Sequence, residues 1–262
     1  MIVVKYGGHA LPAAGVPDEM LKVIASYHKS GREVVLIHGG GPQVDAELAI
    51  HGITSQMISG YRATTPEIME IVHSVLAGQV CRTLVNQLIG FGANAVGLSA
   101  SDGGTVRAKI MRPVIDGEAI DIGLVGDISA TNPTLLKELL GKSFLPVISP
   151  VCVSDSGQAL NLNGDLAAGA IAGALQAQEV IFMTDVAGIY KNFPDENSII
   201  SHCSADELRD LQSTFTAGMI PKVKAALYAL DHGATAIRVI DGRNPMNLIA
   251  ALDGIGGTVV TQ

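Results

Sequence analysis

The chain has 262 residues, 48% of them hydrophobic and 16% charged, which is long enough for one large α/β domain or two lobes and too apolar for a disordered chain. A net charge of −8, aromatics at 4% and the absence of Trp argue against a nucleic-acid platform or an anionic membrane surface, so an anionic ligand needs a local positive site. Cys81, Cys152 and Cys203 stand far apart with no C-x-x-C, no apolar run reaches membrane-span length, and no leader pattern precedes Ile2; together these lead to the expectation of a soluble cytoplasmic protein with reduced thiols.

Residues 2–6 read as a short apolar strand that leaves through Lys5-Tyr6-Gly7-Gly8. Helical spacing follows over 17–29, with Met20, Leu21, Ile24 and Tyr27 on one side and Gly31 as the stop. Val34-Val35-Leu36-Ile37 reads as a buried parallel strand. His38-Gly39-Gly40-Gly41-Pro42 then carries the chain straight into a helix over 42–51, because Pro in a first helical turn lacks only an N–H that has no acceptor there. Residues 52–63 read as irregular. Thr64-Thr65-Pro66-Glu67 opens a helix that reaches about Gly90 if Gly78 is tolerated. A strand over 94–98 and a turn at Asp102-Gly103-Gly104 come next. Asp116-Gly117, Gly123 and Gly126-Asp127 punctuate a stretch of hairpins. Asn132-Pro133 opens a helix carrying Leu135, Leu136, Leu139 and Leu140, and 144–149 form a buried strand.

The second half repeats the rhythm. Residues 161–165 lead into an Ala/Gly-rich helix over 166–177, and 180–183 form a strand ending in Thr184-Asp185. Pro221 opens a helix over 222–231, 237–240 form a strand ending in Asp241-Gly242, Pro245 opens a short helix, and 258–260 close the chain. Strands alternating with helices imply a mainly parallel sheet covered on both faces, shared by two lobes that divide near 150–165.

Ligands of such sheets gather at the carboxyl ends of the strands, where Lys5, His38, Asp165, Asp185 and Asp241 fall. At Gly39 to Gly41 the backbone can approach a ligand closely, and the helix N–H groups and dipole favour an anion such as a phosphoryl group; the alternative is a tight connection with no ligand. Lys5 beside Gly7-Gly8 points to phosphate binding, against a snorkelling edge residue. Lys222, in the first turn of its helix, opposes the dipole unless an anion shares the place or the side chain turns to solvent. No G-x-G-x-x-G follows Gly39. Gly141-Lys142-Ser143 lacks the first glycine of a P-loop, since Leu136 occupies that position, and it reads as a helix C-terminus. Protein-held metal spacing is absent, while Mg2+ carried mainly by nucleotide phosphates is compatible with the sequence.

Lys5-Tyr6-Gly7-Gly8, His38-Gly39-Gly40-Gly41-Pro42-Gln43-Val44-Asp45, Gly60-Tyr61-Arg62, Asn161-Leu162-Asn163-Gly164-Asp165, Thr184-Asp185-Val186-Ala187-Gly188 and Gly218-Met219-Ile220-Pro221-Lys222-Val223 occur in that order. As an ordered set spanning nearly the whole chain, they resemble the amino acid kinase family, and within it the members acting on N-acetyl-L-glutamate. The resemblance implies an α/β, three-layer αβα sandwich around a mainly parallel sheet. Its N-lobe, 1–160, binds the acyl amino acid and dimerises; its C-lobe, 161–262, binds ATP. By the same resemblance Lys5 and Lys222 stabilise the transferring phosphoryl group, and Asp165 orients the two lysines. Gly8, Gly39 and Gly40 donate N–H groups to the phosphoryl group or substrate, with Gly7 in the same turn. Arg62 and Asn161 hold the substrate, and Thr184, Asp185 and Gly188 line the nucleotide pocket.

Gly164 departs from the Ala usual in the family, and Cys81-Arg82 from a common Asn-Lys, which leaves open the kinases that act on carrier-linked aminoadipate or glutamate. A non-catalytic nucleotide or amino acid sensor of the same fold is a further alternative. The strand beginning at Ile2 leaves no extra N-terminal helix of the kind that builds arginine-inhibited hexamers, so a homodimer with weak or no arginine feedback is expected.

Overall fold

The computed structural model describes residues 1–7, 16, 18–115, 117–215 and 220–262. Among them, eight strands form the central sheet, in the order His202–Ser204, Thr258–Thr261, Ala236–Asp241, Glu179–Thr184, Ile2–Tyr6, Val34–His38, Leu145–Ser149 and Ala95–Ser99. Neighbours run parallel except at the junction of Ala236–Asp241 with Thr258–Thr261. The central strands are apolar throughout because both faces are covered.

Side chains alternate between the faces and build two cores. Val3, Val35, Ile37, Val180 and Phe182 pack against Leu136 and Leu140 of helix Thr134–Gly141, Ala168 and Ile171 of Gly164–Leu175, and Val223 and Leu227 of Ile220–Asp231. Ile2, Val4, Tyr6, Leu36 and Ile181 face Leu21 and Ile24 of Glu19–Lys29, Val72 and Leu84 of the long helix after Thr65, and Leu248 of Pro245–Leu252. The result is three layers. Most helices begin where the sequence placed a stop-start signal. Asp18 accepts from the N–H groups of Met20 and Leu21, Thr65 from Ile68 and Asn244 from Met246, with Pro66 and Pro245 directly behind the last two caps.

The long helix tolerates Gly78 in an unexpected way. Pro66–His73 is α-helical, Ser74–Val80 is π-helical and Cys81–Gly90 is α-helical again. From sequence no run of membrane-span length is expected; joined through the π segment, Pro66–Gly90 is long and apolar enough to cross a membrane, and half of that stretch is buried inside the protein, as in a core helix. The stretch expected to be irregular, 52–63, contains the short hairpin Met57–Ile58/Tyr61–Arg62. Of the expected hairpins between Thr105 and Asn132, Val114–Ile115 and Glu118–Ala119 pair by themselves, while the Val106–Ile110/Gly126–Thr131 pair joins a second sheet, ordered Ala159–Asn161, Val151–Val153, Val106–Ile110 and Gly126–Thr131. Its Val151–Val153/Ala159–Asn161 hairpin, the edge strand His202–Ser204 and the helix Ala205–Asp210 were not expected, the strands being too short to display alternation. Cys81, Cys152 and Cys203 are free and buried.

A buried ion pair joins two strands of the C-terminal half. Arg238 is 5% exposed; its Nε donates to Glu179 Oε1 at 2.8 Å and its Nη1 to the Gly256 carbonyl at 2.6 Å. Removing one partner of a buried pair strands the other. Arg238→Leu is therefore expected to lower stability by about 3 kcal/mol in urea unfolding; an unchanged midpoint would show that Glu179 is solvated well enough to do without the arginine.

Candidate active site

Residue parity on the first strand places Lys5 on the same face as Val3, towards helices Gly164–Leu175 and Ile220–Asp231. Those two helices approach closely because one is built from Ala and Gly. A Cβ on Gly169 would lie 2.5 Å from the Ala225 carbonyl oxygen, so no larger residue fits there. Their N-terminal ends consequently converge. Lys5 Nζ lies 2.8 Å from Asp165 Oδ1, and Lys222 Nζ lies 3.4 Å from Asp165 Oδ2. Asn163 caps the helix, accepting from the N–H groups of Asp165 at 2.8 Å and Leu166 at 3.1 Å, and this fixes the carboxylate between the lysines. Burial pushes the Asp165 carboxyl up, but the two ammonium groups outweigh burial and hold it below the usual carboxylate range. Asp165 is thus an ionised clamp for two cations and unsuited to act as a base.

A cavity of about 210 Å³ opens on this triad. Lys5, Gly39, Gly40, Arg62, Asn161 and Asp165 all line it. The glycine turn lines the same cavity. The Gly39 N–H donates to the Tyr6 carbonyl at 2.8 Å, and Gly40 adopts φ 153° ahead of helix Gly41–Ile50, whose first N–H groups have no acceptors within the helix. The backbone at Gly40 disfavours any other residue, and a Cβ there would also lie 2.5 Å from Leu76 Cδ2 of the π segment and displace that side chain. Arg62 enters from the Tyr61–Arg62 strand. Its Nη1 donates to Asp45 Oδ1 and Ser55 Oγ, both at 2.5 Å, and Nη2 to the Gly41 carbonyl at 3.3 Å. Asn161 Nδ2 donates to Thr64 Oγ1 at 3.1 Å.

Lys222 belongs to the triad, although it does not line this cavity. Gly7 lies between the strands, where a Cβ would be 3.1 Å from the Met183 carbonyl and 3.6 Å from Lys5 Nζ. Gly8, Gly218 and Met219 lie outside the described residues. Thr184, Asp185 and Gly188 stand apart from the cavity, at the exit of strand Glu179–Thr184. Thr184 accepts from the Val186 N–H at 3.1 Å, Asp185 is exposed, and Gly188 is pressed against Thr258. The apolar wall of the cavity, with Met57, Val72, Leu76 and Val125, was not singled out from sequence, nor was Asn163 as a cap, although Asn two residues before an Asp at a helix start is a cap signal.

Gly164 opens helix Gly164–Leu175. A Cβ there would meet the His38 carbonyl at 3.6 Å, Lys5 Cε at 3.7 Å and Pro150 Cγ at 3.9 Å, all ordinary contacts. Gly164→Ala is expected to keep kcat within about threefold and to raise stability by about 0.5 kcal/mol in thermal unfolding, through the unfolded chain. A large fall in kcat would mean that the cavity needs the space.

The amino acid kinase family model matches residues 1–241. The chain belongs to the amino acid kinase family. It is 42% identical over 272 residues to an acetylglutamate kinase of Arthrobacter sp. (strain FB24), covering 99% of this chain and 86% of that one. The acetylglutamate kinase of Streptomyces avermitilis is 41% identical over 263 residues, again with 99% and 86% covered. Among solved structures, the N-acetylglutamate synthase of Neisseria gonorrhoeae complexed with coenzyme A and N-acetyl-glutamate matches with a TM-score of 0.84 and 25% identity, over 100% of this chain and 59% of its own. Carbamate kinase from Giardia lamblia bound to AMP-PNP matches at TM-score 0.71 and 21% identity, over 100% and 98%, a likeness in fold alone. Amino acid kinases are phosphotransferases, and in this one two lysines, a carboxylate clamp and a glycine turn meet at the carboxyl ends of the central strands.

Proposed function

We propose that this amino acid kinase transfers the γ-phosphoryl group of ATP to the side-chain carboxylate of N-acetyl-L-glutamate, giving N-acetyl-L-glutamyl 5-phosphate in arginine biosynthesis. The observation that carries the proposal is the Lys5–Asp165–Lys222 triad opening on a cavity that also presents the glycine turn and Arg62. The nucleophile is a carboxylate, ionised at neutral pH, so the step requires no proton transfer. One carboxylate oxygen forms a bond to the γ-phosphorus, the bond to the bridging oxygen breaks, and its electron pair leaves with ADP.

Chemistry of this kind depends on positioning and on neutralising charge. Lys5 and Lys222 supply two cations, aimed by Asp165. Gly39 and Gly40, with Gly7 at the exit of the first strand, let the backbone approach the phosphoryl group and substrate, and Gly8 joins them by the family resemblance. Arg62, oriented by Asp45, binds a substrate carboxylate through its fork, and Asn161 binds a second polar group. Thr184, Asp185 and Gly188 belong to the nucleotide side, so that 1–160 takes the acyl amino acid and 161–262 takes ATP. Both oxygens of Asp165 already face ammonium groups. Mg2+, held mainly by the nucleotide phosphates, would neutralise their charge, and Asp165 would remain the clamp of the two lysines.

The half-exposed edge strand Ala95–Ser99, with the exposed Ile89 on the neighbouring helix, supports a homodimer through the N-terminal half, readable by light scattering. Buried free thiols and a role in amino acid synthesis support a cytoplasmic location. Kinases of carrier-linked aminoadipate or glutamate are the second reading, favoured only by Gly164; a net charge of −8 opposes recognition of an acidic carrier. ADP release from Mg-ATP tests both, with N-acetyl-L-glutamate, glutamate, aspartate and aminoadipate as acceptors. Turnover on N-acetyl-L-glutamate alone is expected. Turnover that appears only when an acidic carrier is supplied would transfer the assignment to the second reading.

A further inference from the structure

His38 is 0% exposed at the end of the strand Val34–His38, in a run of aliphatic residues, yet it is polar. Its Nδ1 lies 2.7 Å from the Gly39 carbonyl oxygen. A carbonyl can only accept, so Nδ1 carries the hydrogen and Nε2 holds the lone pair. That Nε2 is buried and has no hydrogen-bond partner among the described residues. Two other buried side-chain atoms nearby share this condition, Gln43 Oε1 in the first turn of the helix after the glycine turn and Ser149 Oγ at the end of the adjacent strand. Ile148 pairs with Ile37, so Ser149 and His38 are the next neighbours in register, on the face turned towards the long helix. Buried polar atoms without a partner are rare, and an imidazole at this strand end requires a reason. Packing alone gives none, because a leucine fills such a site without stranding Nε2.

We propose that His38 is a positioning residue for the glycine turn, acting as a neutral imidazole whose Nδ1–H holds the Gly39 carbonyl so that the N–H groups of Gly40 and Gly41 stay directed at the transferring phosphoryl group. The Gly39 peptide is thereby held on both sides, its N–H by the Tyr6 carbonyl and its carbonyl oxygen by His38. A side chain at Gly40 would run into Leu76, so the turn is bare at this position. Burial, outweighing the bond to Gly39, holds His38 down to about 4, so the imidazole stays neutral around neutral pH. The turn has no side chain of its own to lock it, and glycine peptides are the most permissive in the chain. A buried tether that stays neutral near pH 7 is the chemistry such a turn needs.

The proposal rests on the kinase reading above and is tested so that the two can fail separately. In the wild-type protein, nitrogen-15 NMR of the imidazole is expected to show a neutral ring protonated at Nδ1; protonation at Nε2, or an imidazolium, at pH 7 would overturn the tether while leaving the kinase reading intact. In steady-state assays, His38→Leu is expected to lower kcat by about 10- to 100-fold with KM for ATP changed less than threefold, since the loss falls on interactions made in the transition state. His38→Asn, whose amide nitrogen takes the place of Nδ1, is expected to recover most of that loss. Equal kcat for the two variants when both are folded, or wild-type kcat in His38→Leu, would overturn the proposal. If His38→Leu does not fold, a His38→Asn enzyme with normal kcat and the ring tautomer still decide it. Inactivity of the wild-type enzyme on N-acetyl-L-glutamate would sink the kinase reading instead.

Discussion

Lys5→Ala is expected to lower kcat by on the order of 10^2- to 10^3-fold, the loss seen when one preorganised donor to a developing negative charge is removed. Lys5 is 8% exposed, so its ammonium acts where water screens it poorly. It is also held in advance, by Asp165 at 2.8 Å, and requires no reorganisation as charge develops. ATP affinity should fall much less, because the nucleotide is held over a wider surface and because the lysine serves the transferring group. Lys5→Arg is not expected to rescue turnover. The ammonium sits close under Gly7, where a Cβ would already lie 3.6 Å from Nζ, and a planar guanidinium demands more room. ADP release gives kcat and calorimetry gives the Kd for ATP. Parallel loss of both in Lys5→Ala would assign the residue to nucleotide binding and not to transition-state stabilisation.

Why Lys5 was readable from sequence, and Arg62's support was not, follows from the length of chain each depends on. Lys5 announces itself locally, as a charged residue at the end of an apolar strand with glycine behind it. The central sheet is equally local in origin: runs such as Val34 to Ile37 have no polar face, so they must be covered on both sides. Pro42, Pro66 and Pro245 mark helix starts through a constraint that acts within one residue. The Asp165 contact with both lysines is less accessible. It depends on the parity of Lys5 in its strand and on the close approach of two helices at Gly169, which spacing alone does not reveal. Arg62 is harder still, since it rides on a hairpin of two-residue strands inside a stretch that reads as irregular, and Asp45 and Ser55, which fix it, lie seven or more residues away. Ser204 and Glu207 do form a capping box that the S-x-x-E spacing signals, yet the short helix Ala205–Asp210 behind it lacks the periodic apolar stripe that marks a helix in sequence. The reversed direction of Thr258–Thr261 has no local signal at all.

Asp165→Asn separates the two roles that the clamp combines. At neutral pH the variant is expected to lose about 3 kcal/mol of stability, because two largely buried ammonium groups are left without their anion while the amide keeps the shape. The pH dependence has a definite sign. The folded-state pKa of Asp165 lies below its ordinary value, so its contribution is fully present above the unfolded value near 3.9 and is lost as pH falls through the folded value. The gap between wild type and variant in urea unfolding should therefore be constant between about pH 5 and pH 8 and shrink only below about pH 4. Turnover should fall as well, since the lysines lose the group that aims them, but the wild-type kcat profile should show no acidic limb near neutrality that disappears in the variant. A limb of that kind is what a general base gives. Finding one would make Asp165 a proton acceptor, and the substrate would then have to carry a hydroxyl or an amine where the present assignment puts an ionised carboxylate.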